Sequence, residues 1–100
     1  MCSVMIKEYF TVPNRKELFR KLRKWTDNWK ELYRSRIERP TLVDLEIAMI
    51  DDFIRSWEIP SHIANWLSEY KIINDYLQYG DVFYIEDEDI YLWIPDERAL

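Results

Sequence analysis

The chain predicts an α+β fold: an N-terminal strand, three to four helices and a C-terminal β-hairpin, all in one domain spanning residues 1–100. Three observations carry this. Apolar residues alternate near the start, at Val4, Ile6, Phe10 and Val12. They recur at steps of three and four through the middle, and two apolar runs joined by a polar tip close the chain. With 48% apolar residues in 100 positions, a core can form without disulfides or metal.

Val4–Val12 is expected as a strand with Glu8 breaking the alternation, ended by Pro13. Asn14 and Glu17 have N-cap and N3 spacing, and Leu18, Leu22, Trp25, Trp29 and Leu32 then form one stripe flanked by Phe19 and Tyr33. The spacing predicts a single long helix over roughly 15–38 and assigns both tryptophans to the core. Pro40 separates it from a helix that Thr41 caps with Asp44 at N3. From Leu42 to Trp57 apolar positions cover most of the circumference and leave Asp44, Asp51, Asp52 and Arg55 as the polar strip, which predicts a largely buried helix.

Pro60 and Ser61 open a third helical region in which Ile63, Trp66, Leu67, Tyr70, Ile73 and Leu77 keep helical spacing. One helix, or two with a turn near 69–71, both fit. Gly80, the only glycine, is expected as the left-handed residue closing it. Val82–Ile85 and Ile90–Ile94 are the hairpin strands, with Glu86–Asp89 at the tip. If Ile85 opposes Ile90, then Phe83, Ile85, Ile90 and Leu92 share one face while Val82, Tyr84, Tyr91 and Trp93 share the other. Both faces are apolar, so the aromatic one is either covered by another element or offered to a partner. Residues 96–100 read as a frayed tail. One contiguous core is expected from Leu18, Leu22, Trp25, Trp29, Leu32, Ile47, Ile50, Ile54, Ile63, Leu67 and Leu92.

Charge divides the chain. Residues 15–39 carry ten Lys/Arg against four acidic groups, whereas 40–100 carry three against fourteen, a split hidden by the net charge of -5. Such a division calls for internal pairing, self-association or a charged partner. Cys2 has no partner cysteine, which excludes a disulfide framework and points to a reducing, intracellular compartment. No apolar run reaches membrane-spanning length and no signal-peptide pattern is present, so a soluble protein with no membrane partner is expected. Ile, Val, Tyr, Trp, Arg, Glu and Leu fill 55 positions, a bias expected of a thermophilic source.

Residues 42–95 resemble a winged helix, or helix-turn-helix, domain: Ile63, Ala64 and Leu67 match its IAxxL core, and Gly80-Asp81-Val82 precedes a wing-like hairpin. The resemblance implies DNA binding. This chain departs from the pattern in having no glycine in Ser68–Lys71, one Lys against one Asp in the segment Lys71–Tyr79 that would read bases, and an acidic wing tip that repels phosphate.

No complete catalytic, metal or cofactor motif is present, and a non-catalytic binding protein is expected. Glu69 and Lys71 with Asp52 resemble the acidic pair and lysine of metal-dependent nucleases, but helical spacing sets Glu69 and Lys71 about 200° apart around an axis. His62 has no catalytic partner, and the acidic tip lacks the spacing and glycine of a calcium loop. Two binding surfaces remain. Lys16, Arg20, Arg23, Lys24, Lys30 and Arg34 lie on one side of the first predicted helix, as ligands for a nucleic-acid backbone; a solvated, internally paired face is the plain alternative, since Asp27 and Glu31 are at pairing distance in sequence. Tyr84, Tyr91 and Trp93 with Glu86, Asp87, Glu88 and Asp89 would instead dock a basic protein surface, as an inhibitor or adaptor with a nucleic-acid-like charge pattern. Burial of that aromatic face in a homodimer would fix the separation of two basic helices.

Overall fold

The structure, a computed structural model, describes residues 4–99; Cys2 and Leu100 lie outside the described residues. The elements are β1 (Phe10–Val12), α1 (Arg15–Trp25), α2 (Trp29–Arg34), β2 (Ile37–Arg39), α3 (Leu42–Ser56), α4 (Ser61–Ala64), α5 (Glu69–Gln78), β3 (Gly80–Ile85) and β4 (Ile90–Pro95), followed by a 3-10 turn at Glu97–Ala99. The α+β class holds.

The four strands form one mixed sheet in the order β1-β3-β4-β2. The hairpin is its centre, in the expected register with Ile85 opposite Ile90 and Tyr84 opposite Tyr91. β1 adds parallel to β3, and β2 adds antiparallel to β4. This explains why both hairpin faces are apolar: each is covered by helices. Leu18, Leu22 and Leu32 of α1 and α2 pack with Val12, Phe83, Ile85, Leu92 and Ile94 on one side. Leu45 and Met49 of α3 and Ile73 of α5 pack with Ile6, Val82 and Trp93 on the other. The single expected core is therefore two, divided by the sheet. Several expected members leave it: Trp25 is 48% exposed and Ile47 52%, and Ile63 is also exposed.

The predicted long helix is broken. Asn14 caps α1 as expected, its side chain accepting from the Glu17 N–H at 2.9 Å. At Thr26 the backbone turns extended, and the Thr26 hydroxyl accepts from the Asn28 N–H at 3.1 Å. The Thr26 side chain thus competes for a local backbone donor where the helix ends, and Asp27 and Asn28, two further residue types of low helix propensity, follow it. The chain then reaches β2, whose Ile37–Arg39 were expected to be helical or linker.

The expected N-terminal strand shrinks to Phe10–Val12 because the backbone before it has another partner. The N–H groups of Met5 and Ile6 donate to the buried Glu46 carboxylate at 2.6 and 2.9 Å. Thr41 caps α3 as expected. α3 buries only one side, through Leu45, Glu46, Ala48 and Met49, rather than most of its circumference. The third region is two helices, with Ser68 capping α5.

Gly80 is not left-handed. It opens β3, where an added Cβ would lie 2.5 Å from Trp93 Nε1 and 2.7 Å from the Ile94 carbonyl oxygen. The glycine admits the indole, whose Nε1 donates to the Tyr76 carbonyl at 2.7 Å. The left-handed residue closing a helix is instead Glu58. The tail is also ordered: Glu97 accepts from the Thr26 hydroxyl, and Asp96 and Arg98 pair at 2.6 Å.

Candidate nucleic-acid interface

α1 turns Leu18 and Leu22 to the sheet. At about 100° per residue, Lys16, Arg20, Arg23 and Lys24 therefore occupy an arc of about 100° on the opposite, outer side. Lys30 and Arg34 are one turn apart on α2. All six are exposed. Beyond the break at Thr26, Trp29 stands beside one cation of each set. Half-buried and packed on Phe19 at 5.3 Å, its ring has the Arg23 guanidinium 5.9 Å away and the Lys30 ammonium 5.8 Å away. Trp29 thus remains a packing residue, as expected.

Five ion pairs occur among the described residues, and they involve Arg15, Arg20, Arg36 and Arg98. Of the six candidate cations only Arg20 is in one, a surface contact with Glu17 at 3.1 Å, which is of small energetic weight. Arg15 behaves differently. Its guanidinium grips Glu88 of the hairpin tip through two hydrogen bonds of 2.7 and 3.0 Å, donates to the Tyr33 hydroxyl at 2.5 Å and pairs with Glu38 of β2. The hydrogen bonds it donates to Glu88 and Glu38 raise its pKa. Burial works against the charge on Glu38, but the hydrogen bonds from Arg15 and Arg36 outweigh it and hold its carboxyl below the usual value.

The second candidate surface is largely consumed by the fold. Trp93 lies in the core between the sheet and α5, and Tyr91 and Tyr84 are half-buried against Tyr9. The aromatic face expected to be covered or offered is covered in part: Val82 and Trp93 are buried, while Tyr84 and Tyr91 stay half-exposed beside Tyr9. At the tip, Glu88 is held by Arg15, and Asp89, left-handed at φ 51°, accepts from the Tyr84 hydroxyl at 2.7 Å. That bond is the main cause raising the Tyr84 pKa to about 12. All four tip residues are exposed, and among the described residues Glu86 and Asp87 take part in no ion pair.

Sequence reasoning missed a cleft of about 240 Å³ between α1 and the sheet, lined by Trp25, Phe83, Ile94, Asp81, Asp96 and Glu97 among others. Burial, then the nearby Asp96 charge, pushes the Asp81 carboxyl up despite Arg98. The only sequence signal was Trp25 itself, whose heptad spacing argued for full burial. Glu69 and Lys71 lie in the first turn of α5, the helical register expected, and Asp52 instead accepts from the Tyr76 hydroxyl at 2.5 Å. Among the described residues no three His, Cys, Asp or Glu side chains converge as a metal site requires, and no helix is long and apolar enough to cross a membrane.

Comparison with protein-family models, curated proteins and solved structures finds no match to this chain.

Proposed function

We propose that this is a non-catalytic nucleic-acid-binding protein that contacts phosphates through the outer face of α1 and α2. The observation that carries the reading is the exposure of Lys16, Arg20, Arg23, Lys24, Lys30 and Arg34 on the outer sides of α1 and α2, with Arg23 and Lys30 beside Trp29 and five of the six free of ion pairs among the described residues. Interactions of this kind position a protein on a backbone without reading sequence. The helices of 42–78 followed by a hairpin keep the order on which the winged helix resemblance rests. In that resemblance α5 would face bases, but it offers Lys71 against Glu69 and Asp75 and precedes an acidic tip, which favours α1 and α2 as the phosphate-binding elements.

Binding of the protein to labelled duplex and single-stranded DNA at two salt concentrations tests this. Six neutralised phosphates predict an affinity drop of about 10³ between about 50 and 200 mM salt. Changing Arg20, Arg23 and Lys24 together to Gln leaves the fold intact and flattens the salt slope by about 0.9 for each phosphate no longer neutralised. No binding by the parent at about 50 mM salt, where the phosphate contribution is strong, overturns the reading and leaves a basic protein docking on Glu86 and Asp87 as its successor.

A further inference from the structure

The outward side of α3 carries an apolar row that the fold uses only in part, through Ile50, which also packs against the core beneath α3 and α5. Val43, Ile47, Ile50, Ile54 and Trp57 follow one another at steps of four, three, four and three, the spacing of a coiled-coil seam. They lie opposite the Leu45, Ala48 and Met49 side that packs on the sheet. Trp57 is 71% exposed, Val43 and Ile47 are exposed, and Ile50 and Ile54 are half-buried.

We propose that this row pairs with its own copy, antiparallel across a two-fold axis, making the protein a homodimer through α3. Three features make the row self-complementary. Val43 and Trp57 stand seven residues either side of Ile50, and Ile47 and Ile54 three and four, so an antiparallel copy sets Ile50 against Ile50 of the second copy and brings Ile47 within one residue of Ile54 of the second copy. Its smallest side chain, Val43, then meets its largest, Trp57 of the second copy. Asp44 and Arg55 flank the row on the same side, about 20° apart around the axis, and at opposite ends of the helix. A two-fold axis keeps that side on the same side in both copies, so each Asp44 falls beside Arg55 of the second copy. The charge pair is centred within half a residue of the apolar row, about 0.8 Å along the helix. Among the described residues neither Asp44 nor Arg55 takes part in an ion pair within the chain. Asp51 lies on the same flank near the centre and approaches its own copy, the one like-charged approach the pairing creates. Because α3 is on the layer opposite α1 and α2, both cationic faces stay outward in the dimer. The inference goes beyond the nucleic-acid reading and does not depend on it.

Sedimentation equilibrium of the full chain, without nucleic acid, is the test. The expected result is a dimer. Ile47→Glu, at an exposed position, raises its dissociation constant by at least about tenfold with an unchanged circular dichroism spectrum. Asp44→Arg and Arg55→Asp each weaken it, the two together restore it, and Asp51→Asn tightens it. A parent that is monomeric at every concentration overturns the proposal. So does a dimer indifferent to Ile47→Glu, or a double charge swap no tighter than the single changes.

Discussion

Arg15 and Asp81 show how position sorts chemically ordinary residues. Arg15 begins the basic segment yet points inward, to Glu38, Glu88 and Tyr33, so its charge closes the molecule instead of facing a ligand. Glu38 gains from this: its pKa is lowered in the fold, so its contribution to stability is present above the unfolded value near 4.3 and is lost as pH falls through the folded one. Asp81 is the reverse case. Burial and Asp96 raise its pKa, so ionisation opposes folding, and stability falls as pH rises from the unfolded value near 3.9 through the folded one. Thermal melts of Asp81→Asn check the sign. The variant is expected to melt above the parent at neutral pH, and the gain is expected to vanish at about pH 3, where Asp81 is protonated in both states. A gain unchanged at low pH contradicts this account of Asp81.

At the scale of elements, Glu58 closes α3 in the left-handed region at φ 50°, a conformation that favours glycine. Glu58→Gly is therefore expected to stabilise the protein by about 0.5 to 1 kcal/mol in denaturant unfolding, relief of strain exceeding the added chain entropy. The tryptophans divide likewise. Trp25→Ala, at a half-exposed ring, is expected to cost less than the about 3 to 5 kcal/mol of a fully buried tryptophan. Elements with local causes were legible in the sequence: the caps at Asn14 and Thr41, and the hairpin register, where two strands are joined by a short tip. The break at Thr26 was not, because Trp25, Trp29 and Leu32 continue a helical spacing across it. β1 beside β3 and β2 beside β4 are pairings distant in sequence, and no periodicity encodes them. Gly80 was misread for the same reason: its cause is Trp93, which only sheet pairing brings near.

For the whole molecule, the sheet turns a division along the sequence into a division between faces. The cations of α1 and α2 stand on one layer, and Asp44, Asp51, Glu69 and Asp75 of α3 and α5 stand on the other. The molecule's shortest extent is 17 Å, beyond the screening length of about 8 Å at physiological salt, so the outer faces cannot neutralise each other. Among the described residues, the ion pairs that join separate elements involve Arg15, while those of Arg20, Arg36 and Arg98 are with carboxylates two or three residues away. The six candidate cations were legible from residue type and spacing; the approach of Arg23 to Trp29 across the break and the burial of Trp93 in the core were not, since both depend on how α2 and α5 pack. The most direct test is a backbone-amide NMR titration with a short DNA duplex at low salt. The account predicts that signals of Lys16, Arg20, Arg23, Lys24, Lys30 and Arg34 shift together and return toward their free positions as salt is added, while α3, α5 and the hairpin tip stay still. Shifts centred on α5 or on Glu86 and Asp87, or no shifts at all, would contradict it.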